Sequence, residues 1–284
     1  MPGSDDERSA AARWRRLVTG RLDEMARLSP GSGSVSGSFW DSRAERYGTR
    51  RRAPDPARDP FLRRLLRVTD ASTSVLDVGA GTGRFALALA PSVAHVTAVD
   101  PAAAMLAVLQ RDAAQLDVAN LTPIRATWDE AEVEPADVAF SSFVMTLVPD
   151  AEPFLAKLDA SARRRVLLHL GAYSADALLD PLWRHFHDAP RAPGPSYLDA
   201  LALLRELGIE PAVKVVEIAD DRRFATIDDA VEHYRDWLLL ADTPDVAHEL
   251  GGLLSAWLIG RRGMFRSPLR AAPAAILEWM PRGA

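Results

Sequence analysis

The sequence predicts an α/β protein built on a doubly wound parallel sheet, and three observations predict it. From Ser74 onward, short apolar runs rich in valine and leucine alternate with segments of helical pattern. The first run, residues 75–78, is followed at once by Gly79, Gly81 and Gly83. The runs are hydrophobic almost without interruption, which is typical of strands that helices cover on both faces.

Seven strands are predicted, with helices between the first five. They are residues 75–78, 93–100, 123–125, 137–141, 166–170, 213–218 and 275–279. Two stretches are longer than a simple connection, residues 172–210 and residues 226–264, and the second is helical by pattern. Ligands of open α/β sheets bind beyond the carboxyl ends of the strands. The stretch that follows the fifth strand is therefore placed to line a pocket.

Upstream of the sheet, residues 9–28 carry apolar side chains at helical spacing, which predicts an amphipathic helix. A Gly/Ser-rich linker follows, so this helix could pack on its own core or on a neighbouring subunit. We therefore divide the chain into residues 1–38, helix and linker, residues 39–171, the core of the sheet, and residues 172–284, the remainder with helical insertions.

Composition excludes several kinds of protein. The 284 residues contain no cysteine, which excludes disulfides, thiolate metal sites and a cysteine nucleophile. No apolar run approaches the ~20 residues of a membrane span, and the acidic first residues lack the features of a signal peptide. A cytoplasmic protein without a membrane partner is expected. The net charge of -5 gives no overall attraction to a nucleic-acid backbone.

The glycine turn carries the main functional signal. A dinucleotide fingerprint would need a third glycine where Arg84 stands, and a P-loop would need a lysine that is absent. What remains is D-x-G-x-G-x-G, beginning at Asp77, in a strand-turn-helix layout that lets a ligand approach bare backbone. This pattern resembles motif I of the class I S-adenosylmethionine (SAM)-dependent methyltransferases.

The resemblance extends over residues 39–166. The second predicted strand ends in Asp100, and the segment from Asp100 to Leu106 is similar to the family's D-x-S-x-x-M-L, with Ala103 where serine is common. Upstream, residues 39–47 resemble the aromatic helix that precedes the core of the family and closes over the cofactor. The resemblance implies a Rossmann-like seven-stranded methyltransferase sheet whose last two strands form an antiparallel pair.

It also implies SAM as cofactor and a set of contacts to it. Backbone at the glycine turn would approach the methionine part, and Asp77 would meet its ammonium unless it caps local amides instead. Asp100 would bind the ribose, and Trp128 with Asp129 would contact adenine unless Trp128 is simply core. Ser141, with Ser142 after it, would border the reacting methyl. The predicted cofactor residues are Tyr47, Asp77, Gly79, Ala80, Gly81, Asp100, Pro101, Met105, Trp128, Asp129 and Ser141.

Methyl transfer requires alignment and, for a hydroxyl or ammonium acceptor, removal of a proton. His169, near the end of the fifth strand, and His187, in the stretch that follows it, are the candidate bases. The alternative for His169 is a partly buried histidine that is satisfied by its neighbours. His185 and His187 are spaced for a metal, but no further ligand completes a site, and no metal is predicted.

Three functions stay open at this point. The first is a methyltransferase that acts on the oxygen or nitrogen of a small molecule, as a monomer or homodimer. The second is a regulatory protein that binds SAM without catalysis. The third is a nucleic-acid methyltransferase, which the acidic charge disfavours. Residues 141–144 read Ser-Ser-Phe-Val where base-modifying enzymes carry Asn/Asp-Pro-Pro-aromatic, which disfavours it further.

Overall fold

The computed structural model describes residues 9–28, 40, 44, 54–172, 179–220, 222–268 and 271–283. The strands are β1 Ser74–Val78, β2 His95–Asp100, β3 Leu121–Arg125, β4 Ala136–Ser142, β5 Ala162–Gly171, β6 Ala212–Ala219, β7 Arg223–Phe224, β8 Ile259–Arg261, β9 Met264–Arg266 and β10 Ala271–Trp279. The α-helices are α1 Ala10–Leu28, α2 Pro60–Val68, α3 Ala86–Leu89, α4 Ala103–Gln115, α5 Ala151–Ala160, α6 Asp180–His187, α7 Tyr197–Glu206, α8 Ile227–Trp237 and α9 Pro244–Trp257. Within these described ranges, no helix is long and apolar enough to cross a membrane.

Seven strands form one sheet in the order β3-β2-β1-β4-β5-β10-β6. Strands β1 to β5 are parallel to their neighbours in that set, whereas β10 runs antiparallel to both β5 and β6. The predicted fold class, the seven strands and the closing antiparallel pair are confirmed. The strand order reverses direction between β1 and β4, and this reversal opens a crevice at the carboxyl ends of the two strands.

Helices cover both faces of the sheet because the side chains of β1 alternate. Leu76 packs in a core cluster with residues of α1, α5 and α7. Val75 packs on the other face, in a cluster with residues of α2, α3 and α4. A third cluster lies outside the sheet and joins α6, α8 and α9, with Trp183, Tyr234 and Leu250 at its centre.

Helix α1 packs on the core of its own chain, the first of the two arrangements that the sequence allows. The side chains of Trp14 and Val18 are 0% exposed. The indole Nε1–H of Trp14 donates to the carbonyl of Val148, 2.8 Å away. Val148 lies shortly beyond the carboxyl end of β4, so α1 crosses the edge of the sheet where a ligand crevice is expected.

Two expectations about secondary structure were wrong, one for the connection between β3 and β4 and one for residues 226–264. Residues 126–135, all of which the structure describes, connect β3 to β4 as a loop with one turn and no helix. Pro135 lies at the end of this loop, where it cannot donate a backbone hydrogen bond. The region predicted as helical, residues 226–264, does form α8 and α9, but it ends in β8 and β9. These two strands pair with β7 in a small second sheet, and Gly263, with φ +74°, turns the chain between β8 and β9.

Candidate functional site

The glycine turn after β1 has a backbone that only glycine adopts easily. Gly79, Gly81 and Gly83 have φ of +77°, +55° and +82°. The amides of Gly79 and Ala80 both donate to the carbonyl of Val99 in β2, at 2.8 and 3.0 Å. A Cβ atom on Gly79 would lie 2.1 Å from Cγ2 of Val144. The turn is therefore packed closely between β2 and the segment that follows β4.

Gly81 differs from Gly79 and Gly83 because none of the other described residues lies close to its open side. A Cβ built there has no heavy atom within 4 Å among the described residues, whereas one on Gly83 would lie 2.9 Å from Cγ of Leu109. Crowding thus explains why glycine is needed at positions 79 and 83, whereas the described residues leave space beside Gly81. A ligand could approach the backbone at this point.

Asp100, the last residue of β2, is joined to the glycine turn. Its carboxylate accepts hydrogen bonds from the amide of Gly81 at 2.8 Å and from the amide of Ala102 at 2.9 Å. The side chain is buried. Each carboxylate oxygen can accept more than one hydrogen bond, so the side chain has the chemistry to accept from the hydroxyls of a ribose. The acid and the turn, recognised separately in the sequence, form one structural unit.

Asp77 is buried beneath this unit, with 3% of its surface exposed. Burial raises the pKa of its carboxyl well above the ordinary value, and the charge of Asp100 raises it further, whereas a hydrogen bond from the amide of Ala86 lowers it. The bond from Ala86 is the local capping contact that the sequence left as an alternative. A contact to a ligand ammonium stays a prediction, and such a cation would favour the charged form of Asp77.

The helix after Asp100 carries the next predicted contacts. Pro101 is exposed, and Met105 is buried in a small cluster with Ala44 and Val108. Trp40 packs against this cluster, so part of the upstream aromatic segment lies on α4. The predicted contact Tyr47 falls outside the described residues.

The two residues predicted to contact adenine occupy different environments. Trp128 is 8% exposed, its Nε1–H donates to the carbonyl of Phe154 at 3.1 Å, and Nζ of Lys157 lies 4.7 Å from the centre of its ring. This packing favours the core alternative for Trp128. Asp129 is exposed, so the adenine contact stays a prediction that Asp129 carries better.

The two serines at the end of β4 point in different directions, as neighbours in a strand do. Ser141 is 0% exposed, and its hydroxyl donates to the carbonyl of Val78 at 2.9 Å. Its side chain therefore ties β4 to β1. Ser142 is half-buried, and its hydroxyl lies 3.0 Å from Nδ1 of His169 in β5.

His169 lies inside an aromatic cluster and is 1% exposed. The ring of Phe61 stacks on it at 4.2 Å, and the ring of Phe143 lies 4.6 Å away, measured between ring centres. Phe143 is 41% exposed and has φ +60°, a conformation that is strained for a bulky residue. His169 is thus close to the edge of the sheet, and Ser142 and Phe143 separate it from the surface.

Sequence reasoning missed the residues that hold Phe61 in place. Asp59 caps the first turn of α2 by accepting from the amides of Phe61 and Leu62, each at 3.0 Å. The same carboxylate pairs with Arg84, at 2.7 Å, so the glycine turn is tied to α2. An acid before Pro60 and an apolar run is a recognisable helix start, but its pairing with Arg84 needs the tertiary structure.

His187 lies in a different part of the molecule from His169. Its Nε2–H donates to the carbonyl of Leu238 at 2.8 Å, and its ring lies 4.1 Å from that of Trp183 in the third cluster. Only Nδ1 is left to accept a proton. The two predicted bases therefore do not share one site. Among the residues that the structure describes, no group of three or more histidine or acidic side chains could hold a metal.

Comparison with known proteins agrees with this geometry. Residues 75–164 match the family model described as a methyltransferase domain. An uncharacterized protein of Haemophilus influenzae is 34% identical over 112 residues, which is 38% of this chain and 41% of that relative's length. The matched family segment contains the glycine turn, Asp100 and both serines at the end of β4.

Solved structures share the fold at low sequence identity. The YcgJ protein of Bacillus subtilis has a TM-score of 0.53 at 16% identity, over 78% of this chain and 97% of that one. Magnesium protoporphyrin IX methyltransferase of Synechocystis, solved with bound SAH, has a TM-score of 0.51 at 16% identity, over 96% and 99%. Residues 75–164 therefore match a methyltransferase domain, and the chain shares the Rossmann-like fold of solved structures that include a methyltransferase with bound SAH.

Proposed function

We propose that this protein transfers the methyl group of SAM to an oxygen or nitrogen of a small-molecule acceptor. The observation that carries the proposal is the joined unit of glycine turn and Asp100. The described residues leave space beside Gly81, and a charged acceptor lies next to that space. The unit lies at the crevice where the strand order reverses, which is where such sheets bind ligands.

The residues fit the cofactor in chemical terms. SAM brings an activated methyl group, a ribose with two hydroxyls and a methionine part with an ammonium. Asp100 has the chemistry to accept from the hydroxyls, and buried Asp77 would be stabilised in its charged form by the ammonium. The magnesium protoporphyrin IX methyltransferase of similar fold was solved with bound SAH, which supports a cofactor at this edge.

The acceptor would lie between the sheet and the third cluster. That cluster follows β5 and provides aromatic side chains such as Trp183 and Tyr234. Aromatic walls with a few polar groups are typical of small-molecule pockets. The Synechocystis enzyme is named for a small-molecule acceptor, which supports the same class here. We further propose a cytoplasmic enzyme, monomeric or homodimeric, without nucleic-acid or membrane partners.

Removal of the acceptor's proton has two candidate routes, one through Ser142 and His169 and one through His187. The hydroxyl of Ser142 is half-buried at the end of β4 and lies 3.0 Å from Nδ1 of His169. Ser142 could pass a proton from the acceptor to the imidazole, which itself is enclosed by aromatic rings. His187 reaches the third cluster instead and would act directly, through Nδ1.

Calorimetry with SAM and SAH tests the cofactor site. Asp100→Ala removes a charged acceptor of two ribose hydrogen bonds, each worth about 1.5–3 kcal/mol, and should weaken SAM binding by at least about a hundredfold. Asp150→Ala is the matched control, because Asp150 is an exposed acid paired only with surface Arg15 in the described structure. Unchanged affinity in Asp100→Ala would place the ribose elsewhere.

Turnover separates the enzyme from its main alternative. The protein is incubated with a cell extract and methyl-labelled SAM, and labelled products are identified by mass spectrometry. A labelled small molecule supports the proposal. Tight SAM binding with no labelled product would favour a regulatory SAM-binding protein. The burial of His169 and the engagement of His187 Nε2 are the observations consistent with that alternative.

A further inference from the structure

Phe143 is a strained residue at the carboxyl ends of the strands. It follows β4 directly, where the strand order reverses between β1 and β4, and its side chain is 41% exposed. Its φ is +60°, a conformation that favours glycine and is rare for a bulky residue. Backbone strain of this kind persists only where the surroundings fix it, and it is common at sites that hold a ligand. The ring thus lies at the crevice at a cost in stability, which a function of the ring would explain.

The contacts of the neighbouring residues fix this conformation. The hydroxyl of Ser142 lies 3.0 Å from Nδ1 of His169. The amide of Phe143 donates to the carbonyl of the same histidine at 2.9 Å, and the centres of the two rings are 4.6 Å apart. Val144 lies so close to Gly79 that a Cβ atom on this glycine would be 2.1 Å from Cγ2 of the valine. Strand β5 and the glycine turn therefore determine where the Phe143 ring lies.

These contacts place Phe143 close to the region predicted for the cofactor. Its neighbour Val144 touches the glycine turn at Gly79, and this turn is predicted to meet the methionine part of SAM. Asp100, which is predicted to bind the ribose, accepts from the amide of Gly81 in the same turn. The sulfur of SAM joins the methionine part to the ribose. A cofactor bound by both groups therefore brings its sulfonium to the crevice between β1 and β4, which Phe143 borders.

The groups at this crevice suit a cation. Two acidic side chains, those of Asp77 and Asp100, are buried at the glycine turn. Negative charge there favours a cation over an anion as ligand. The face of a phenyl ring is electron-rich and attracts a cation, and it attracts a neutral group much less. Phenylalanine also has no heteroatom that could accept the methyl group in place of the substrate.

We propose that the ring of Phe143 contacts the sulfonium of SAM and thereby distinguishes SAM from SAH. The inference rests on the proposed function, because it concerns the cofactor of the same site. In the transfer, the bond from sulfur to the methyl carbon breaks while a lone pair of the acceptor forms the new bond. The sulfur keeps the electron pair and becomes the neutral thioether of SAH. The attraction to the ring is then lost, which favours release of the product.

Calorimetry with SAM and SAH on the full chain tests the contact. Phe143→Leu keeps an apolar side chain without the ring, and should weaken SAM binding about fivefold to thirtyfold while SAH binding stays within about twofold of the wild type. Phe143→Tyr retains the ring and should behave like the wild type. Trp237→Leu is the matched control, because it removes another exposed aromatic side chain from α8. Equal weakening of SAM and SAH binding in Phe143→Leu would indicate a structural role and overturn the proposal.

A glycine variant keeps the test valid if Phe143→Leu does not fold. Phe143→Gly adopts a φ of +60° without strain and should show the same selective loss of SAM affinity. Fluorinated phenylalanines introduced at this position keep the shape of the ring and withdraw electron density from its face. The ratio of SAM affinity to SAH affinity should fall stepwise as fluorine atoms are added. A constant ratio would show that the ring makes only an apolar contact and would overturn the proposal.

The proposed function can fail separately. If the wild-type protein binds neither SAM nor SAH, the methyltransferase proposal and this inference are both wrong. If both bind and the ratio of their affinities is unchanged in the variants, the methyltransferase proposal stands and only the role of Phe143 is overturned. If that unchanged ratio comes with slower turnover, the ring belongs to the acceptor site instead.

Discussion

The carboxyl edge of the sheet is built by different means in its two parts, one at β1 and β2 and the other at β4 and β5. At β1 and β2, backbone amides and two acids form the candidate cofactor site, within residues 77–102 of the chain. At β4 and β5, side chains from distant segments meet: His169 of β5 lies 3.0 Å from Ser142 of β4 and stacks on Phe61 of α2. The first part is local in sequence, and the second depends on tertiary packing.

The difference between the two parts of the sheet can be explained by what each is proposed to bind. A cofactor shared by a whole family can be held by backbone geometry, which a short glycine pattern encodes. An acceptor that differs between enzymes needs side chains that can be exchanged without disturbing this turn. The four predictions that follow test this division, and the first has the largest expected effect.

The edge that we assign to the acceptor should depend on α1. Trp14→Ala removes an indole that is 0% exposed and should lower the free energy of unfolding by about 4 kcal/mol. Trp237→Ala is the control, because that side chain is 38% exposed and its loss should cost about 1 kcal/mol or less. Chemical denaturation measures both. Equal losses would show that α1 is a detachable arm and not part of the core.

The edge that we assign to the cofactor should separate stability from binding at two glycines. Gly79→Ala places a Cβ 2.1 Å from Val144 at positive φ, and should cost about 3 kcal/mol of stability. Gly81→Ala also has positive φ, but its Cβ would meet no described neighbour within 4 Å, so it should cost about 1 kcal/mol while weakening SAM binding. Thermal unfolding and calorimetry check this pair. A Gly81→Ala protein with normal SAM affinity would move the ligand away from the turn.

The two histidines should differ in their connection to Ser142. His169→Asn and Ser142→Ala should both lower kcat, by about a hundredfold for a lost base, with SAM affinity nearly unchanged. His187→Ala should lower kcat in the same way only if its Nδ1 is the base. The pH dependence of kcat from pH 6 to 9 gives the assignment. If all three variants turn over at the wild-type rate, catalysis rests on alignment alone.

The smallest effect concerns pH. The pKa of Asp77 is raised by burial and by Asp100, so its contribution to stability is present below its ordinary pKa and is lost as pH rises through the raised value. The ammonium of SAM favours the charged form, so SAM affinity should increase with pH until Asp77 is ionised, by at most about tenfold per pH unit. Asp77→Asn should flatten this dependence in calorimetry at several pH values. An equally steep dependence in the variant would assign the titration to another group.

The pattern of residues within short stretches determined much of the fold. Apolar runs and the glycine turn predicted the seven strands, and the spacing from Asp77 to Asp100 predicted which strand ends face one ligand. These signals are local because each strand or turn is encoded by a few consecutive residues, whose side chains alternate between the two faces of the sheet. The loop between β3 and β4 and the small sheet of β7, β8 and β9 were missed, since short strands and turns leave weak patterns.

Packing decided the rest. The sequence alone does not distinguish Ser141 from Ser142. Because side chains alternate along β4, Ser141 bonds to β1 and Ser142 contacts His169. The indole of Trp128 could have faced a ligand, and the position of α5 placed it in the core instead. The pairing of Arg84 with Asp59 and of Arg191 with Glu24 joins residues far apart in the chain. A sequence states which charges exist, but only the folded chain decides which of them share a buried site, because that depends on the three-dimensional distances between them.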